Sequence, residues 1–159
     1  MVTLRNLFNS TTPDIEEAPN KIEEHKIITL KPLVLNAPGA YLELKTIEEE
    51  EGMLRIDFIY TASNKYINGG WVQISPYTYV RCSSTGSRYQ MINAVNIPLS
   101  PLKHYFRYQG EQLAYSLFFE RPAAGTVCID IIEGVGPGHN WFNFYGVYLH
   151  IIASQPIRF

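Results

Sequence analysis

At 159 residues the chain is long enough for one domain with its own core and too short for two of ordinary size. Hydrophobic residues make up 46% of it and aromatics 13%, which excludes a disordered composition. A formal net charge of −2 excludes a global field that would gather nucleic acid or anionic membrane.

Residues 1–25 carry Pro13, Pro19 and two acidic pairs, with few bulky apolar groups after Phe8. They read as a short irregular N-terminal segment. Leu4, Leu7 and Phe8 sit at helical spacing and form the one apolar patch that could dock on a partner. The segment lacks the apolar centre of a signal peptide, and no run approaches the roughly 18 apolar residues of a membrane helix. The expectation is a cytoplasmic protein with no membrane partner.

From residue 26 to 159 the sequence reads as a single domain of alternating strand and turn. KIITLKPLVL is broken by Pro32, which places it at a sheet edge or bend. AYLELKTI sets Leu42 and Leu44 against Tyr41 and Glu43. IEEEEG, with four consecutive glutamates, is expected to be a solvated hairpin tip. MLRIDFIYT then places Leu54, Ile56, Phe58 and Tyr60 on one face, the clearest period of two in the chain.

Asn68-Gly69-Gly70 punctuates before WVQIS, and Pro76 precedes TYVRCSS. RYQMINAVNIPL, HYFRY, LAYSLFFER, TVCIDIIEG and FNFYGVYLHII follow, separated by Gly- and Pro-containing turns. Short strands at about ten-residue spacing predict an all-β fold, a two-sheet antiparallel β-sandwich of jelly-roll or immunoglobulin-like type.

The tests for chemistry are mostly negative. His25, His104, His139 and His150 never fall at a short metal-ligand spacing, and the two cysteines lack C-x-x-C spacing. No cofactor motif is present, and GVGPG has no following helix to offer amides to a phosphate. Cys82 and Cys128 read as free, buried thiols. A cysteine-dependent enzyme would need one of them beside His104 or His139, and a serine-dependent one would need Ser83 or Ser84 beside a histidine and Asp130. Asp130 and Glu133, at odd separation near a strand end, should face opposite ways. Glu133 is expected to accept turn amides or pair with Arg81 or Arg88, with Gly134 supplying an unusual backbone angle.

The aromatic surplus is the positive signal. Alternation puts Phe142 and Phe144 on one side and Trp141 and Tyr145 on the other, so some rings must face outward. Trp71, Tyr77, Trp141 and the neighbouring His139 are the candidate binding residues, for a protein surface or a glycan.

INAVNIPLSPLKHYF, then GEQLAYSLFFERPAAGTVCIDIIEG, then WFNFYGVYL resemble, over roughly residues 26–150, an uncharacterised β-sandwich module recurrent in Bacteroidetes proteins. Ile132-Glu133-Gly134 and Tyr145-Gly146-Val147 match its framework signatures. Such modules accompany trypsin-like peptidases and thioredoxin-like proteins, so the resemblance implies an accessory role with no catalytic residues of its own. Together these features predict a non-enzymatic module, without cofactor or metal, that contacts a protein partner or its own copies. A carbohydrate-binding module is the alternative, and a cysteine enzyme the third possibility.

Overall fold

The computed structural model describes residues 26–27, 33–34, 40–137 and 141–149. Leu4, Leu7, Phe8 and His139 lie outside them, as does the whole segment 1–25. The described residues are all-β, with strands β1 (Lys26–Ile27), β2 (Leu33–Val34), β3 (Tyr41–Glu50), β4 (Met53–Thr61), β5 (Trp71–Val72), β6 (Tyr79–Cys82), β7 (Arg88–Val95), β8 (His104–Tyr105), β9 (Gln112–Glu120), β10 (Cys128–Ile132) and β11 (Phe144–Tyr148). No helix among them is long and apolar enough to cross a membrane.

Nine strands form one antiparallel sheet, eight of them in the order β1-β3-β4-β9-β7-β6-β10-β11 and the ninth, β2, paired to β3 off this path. The short strands β1 and β2 thus both pair with β3, on the side away from β4, while Pro32 lies outside the described residues. β5 and β8 form a separate ribbon.

The sheet is strongly curled. β4 and β11 stand five strands apart on the path, a separation of roughly 24 Å in a flat sheet. Yet the Phe58 and Phe144 rings lie 5.9 Å apart, and those of Tyr60 and Phe142 5.8 Å. β7 is the corner. Its residues 88–90 pair with β6, and its residues 91–95 pair with β9 across a register shift between Met91 and Asn93. A strand that changes partner at an irregularity is how a sheet turns back on itself.

The curl encloses the core. Leu54, Ile56, Phe58 and Tyr60 of β4 face Leu113, Tyr115, Leu117 and Phe119 of β9, all buried as their alternation predicts. β3 departs from strict alternation. A register shift between Leu44 and Thr46 accommodates Lys45, so Ile47 rather than Thr46 turns inward. The glutamate run is not a loop, contrary to the sequence reading. β3 continues through Glu50, and the hairpin turns on Glu51 and Gly52 alone, at φ of 53° and 79°, the left-handed pair of a two-residue type I′ turn. Arg55 makes the strand tolerable by lying 2.7 Å from Glu50 and 3.4 Å from Glu48.

Two carboxylates knit the outer faces. Asp57 receives hydrogen bonds from the Ser116 and Thr46 hydroxyls and from Arg55. Asp130 receives Arg81, the Ser83 hydroxyl and the Gly146 amide, at 2.8–3.1 Å. Burial alone would push both carboxyls up, but these donors outweigh it and hold both below the ordinary carboxylate value. A depressed native pKa gives stability that is fully present above the unfolded value, about 3.9, and lost as pH falls through the native one. The urea midpoint should therefore hold between pH 7 and 5 and decline as the solution is acidified below about 4. Asp130→Asn should flatten that decline; an unchanged acid slope would show that Asp130 does not contribute to it.

Candidate aromatic binding site

One end of the curled sheet is closed by the β5–β8 ribbon. Phe106 follows β8, and its amide donates to the Gly70 carbonyl at 2.9 Å. Its ring stacks on Tyr60 with centroids 5.5 Å apart and planes within 6°. Tyr60 thus touches the ribbon on one side and Phe142 on the other. Above this floor lies a pocket of about 300 Å³.

Its walls come from two stretches distant in sequence. The first, 63–73, contributes Ser63, Tyr66, Gly69, Gly70, Trp71, Val72 and Gln73; the second contributes Glu133, Trp141 and Phe142. Both tryptophans of the chain therefore line the same cavity. Trp71 is 44% exposed and Tyr66 50%, while Trp141 is half-buried.

Two glycines seat the rings. The Tyr66 carbonyl accepts the Gly69 amide at 3.0 Å and the Gln109 side-chain amide at 2.9 Å, which fixes the turn. Gly70 (φ 83°) follows it, and a Cβ there would meet the Tyr66 ring at 2.9 Å. At Gly134 a Cβ would meet the Trp141 ring at 2.7 Å. The expectation of an unusual backbone angle at Gly134 is thus corrected: it is absent from the positive-φ glycines, and its service is space for the indole.

Glu133 holds the second wall in place. One carboxylate oxygen accepts the Ser75 amide at 3.0 Å and the other the Phe142 amide at 2.9 Å. Asn143 completes the closure, its Oδ1 accepting the Glu133 amide at 2.8 Å and its Nδ2 donating to the Gly134 carbonyl at 2.8 Å. The Trp141 indole N–H donates to the Gly136 carbonyl at 3.1 Å, so this residue offers the pocket its ring. Of the two acids near the end of β10, Asp130 takes the arginine and Glu133 takes turn amides, and they serve different places.

Of the remaining sequence candidates, Tyr77 is 79% exposed but sits outside the pocket, in the turn that begins at Ser75. Phe142 and Phe144 reach the core rings and Tyr145 stands outward, as alternation predicted, but Trp141 lines the pocket beside Phe142 instead of sharing the Tyr145 side, because the strand begins only at Phe144. Tyr66, Gln73 and Ser63 were not anticipated; the only signal was their nearness to Asn68-Gly69-Gly70.

The thiols lie elsewhere. Cys82 ends β6 and Cys128 begins β10, at the far end of these strands from the Ser75–Glu133 contact. Both are free, but only Cys82 is buried, which corrects the reading of two buried thiols. The Ser84 hydroxyl, with the hydroxyl and amides of the same turn, lowers the Cys82 thiol to about 7. His104, the one histidine among the described residues, packs edge-on against Phe106 in the ribbon. Ser83 donates to Asp130 directly. No group of three His, Cys, Asp or Glu side chains among the described residues is placed to hold a metal ion. Comparison with protein-family models, curated proteins and solved structures finds no match to this chain.

Proposed function

We propose that the protein is a non-enzymatic, immunoglobulin-like β-sandwich module that binds carbohydrate in the aromatic pocket. One observation carries the functional part: Trp71 and Trp141, 70 positions apart, line a single cavity with Tyr60, Tyr66 and Phe142. Sugar rings present apolar C–H faces beside hydroxyl edges. Flat amphipathic rings with a few polar groups between them suit both features. The volume lies at the lower limit of the roughly 300–1,000 Å³ of small-ligand sites, which favours one or two sugar units.

The fold part is supported by strand order. Taking β3, β4, β6, β7, β9, β10 and β11 as A to G, the path reads A-B-E-D-C-F-G. That order matches the ABED and CFG order of a seven-stranded immunoglobulin sandwich, with the β7 corner at the place where its two layers would meet. An accessory role of the kind implied by the resemblance to Bacteroidetes modules fits this reading. The expectation of protein contact rests instead on outward rings such as Tyr145 and Tyr148, 62% and 58% exposed. Rings scattered singly on a surface are a less specific arrangement than rings gathered around a cavity.

Screening the pure protein on a glycan array tests the proposal. The wild type should bind a restricted set of glycans, and Trp71→Ala and Trp141→Ala should each weaken that binding about tenfold or more. Silence across the array, or binding indifferent to both substitutions, would dispose of it.

A further inference from the structure

We infer that the Tyr60 hydroxyl, at the floor of this pocket, is the polar contact that fixes the bound sugar unit, forming a hydrogen bond with one of its hydroxyls. The inference rests on the saccharide reading above.

Tyr60 is an inward residue of β4, only 6% exposed, yet it belongs to the pocket lining. Its ring is held on both sides, stacked on Phe106 at 5.5 Å and set against Phe142 at 5.8 Å. The hydroxyl itself has no hydrogen-bond partner in the protein. Its pKa agrees with this, being raised by burial with no hydrogen bond contributing. Buried tyrosines usually pair their O–H, because the loss of water is otherwise uncompensated.

The hydroxyl is nevertheless within reach of a ligand. Among the described residues, the enclosed side-chain oxygen that lacks a partner is that of Gln73, not that of Tyr60. Tyr60 Oη therefore keeps some open surface, and the cavity that the residue lines is where it opens.

Depth and chemistry separate this hydroxyl from the other unpaired polar groups of the lining. Those are the Tyr66 hydroxyl, the Trp71 indole N–H and Gln73 Nε2. Tyr66 and Trp71 are 50% and 44% exposed, so bulk water serves them and a ligand there gains little by replacing it. Gln73 is half-buried, and its Nε2 donates without accepting. Tyr60 combines near-complete burial with a group that both donates and accepts. Burial also holds its proton on to higher pH, so both capacities persist at neutrality. A sugar hydroxyl has the same two capacities and can meet it in either sense.

The test compares wild type, Tyr60→Phe and Tyr66→Phe on an array of glucose, mannose and galactose tetramers, galacturonic acid tetramers and sialyl-lactose. Tyr60→Phe removes one oxygen and should weaken binding of the retained glycans about tenfold. Its Tm should be unchanged or raised, because no hydrogen bond within the protein is lost. Tyr66→Phe, which deletes the exposed hydroxyl, should stay within about twofold of wild type. A fall in Tm together with binding in Tyr60→Phe would assign its hydroxyl a structural role and overturn the inference. Full binding by Tyr60→Phe, or an equal loss in Tyr66→Phe, would also overturn it while leaving the saccharide pocket standing. No binding to any glycan by the wild type would remove both.

Discussion

Glu133→Ala should destabilise the domain by about 2–4 kcal/mol and weaken glycan binding at least tenfold. The carboxylate joins three parts of the chain, holding the amide of Ser75, 58 positions away, and that of Phe142, nine positions away. Hydrogen bonds to a charged acceptor contribute about 1.5–3 kcal/mol each, and alanine would leave both donors without their partner. The wall carrying Trp141 would also lose its tie to the Ser75 turn. Glu133→Gln retains one acceptor oxygen and should recover about half of the lost stability. Urea unfolding and a binding titration of the two variants check this. A stable alanine variant with unimpaired binding would show that the loop is held by Asn143 and ring packing alone.

Phe58→Ala carries the second large effect, a loss of about 3–5 kcal/mol. The Phe58 ring is 2% exposed, stacks on Tyr115 at 5.1 Å and meets Phe144 at 5.9 Å, where the β4 and β11 arms of the sheet face one another. Truncation would leave a cavity at that junction, between strands that share no hydrogen bonds. Phe118 is the matched control. It occupies the outward face of β9, half-buried beneath the Arg55 guanidinium 5.9 Å away, and Phe118→Ala should lose only about 1 kcal/mol. Similar losses at the two sites would contradict the curled arrangement of the sheet.

The sequence was most informative where structure is local. Period two in MLRIDFIYT and LAYSLFFER assigned the inward residues of β4 and β9 correctly, because each strand buries one face and a one-residue slip would expose it. The glutamate run misled because four like charges suggest solvent, whereas cross-strand Arg55 neutralises two of them. Nor does alternation disclose the register shift that turns Ile47 inward, since Lys45 is displaced by pairing with a strand the residue itself does not encode.

The site was legible in its parts and hidden as a whole. Trp71 and Trp141 stood out as surplus aromatics, but their meeting depends on the curl that brings the end of β10 beside the ribbon. Gly134 was singled out for a backbone angle, when the reason is the indole resting upon it. Gln73 gave no signal at all, because lining a cavity is a property of its surroundings.

Since the chain has two tryptophans and both line the pocket, their indole N–H resonances report on it directly. The decisive measurement is a ¹H–¹⁵N spectrum followed through titration with a glycan retained on the array. Both indole signals should move saturably, together with the backbone amides of Gly70 and Phe142. If a glycan binds while both indole signals stay fixed, or if no oligosaccharide moves them at millimolar concentration, the pocket is not the binding site.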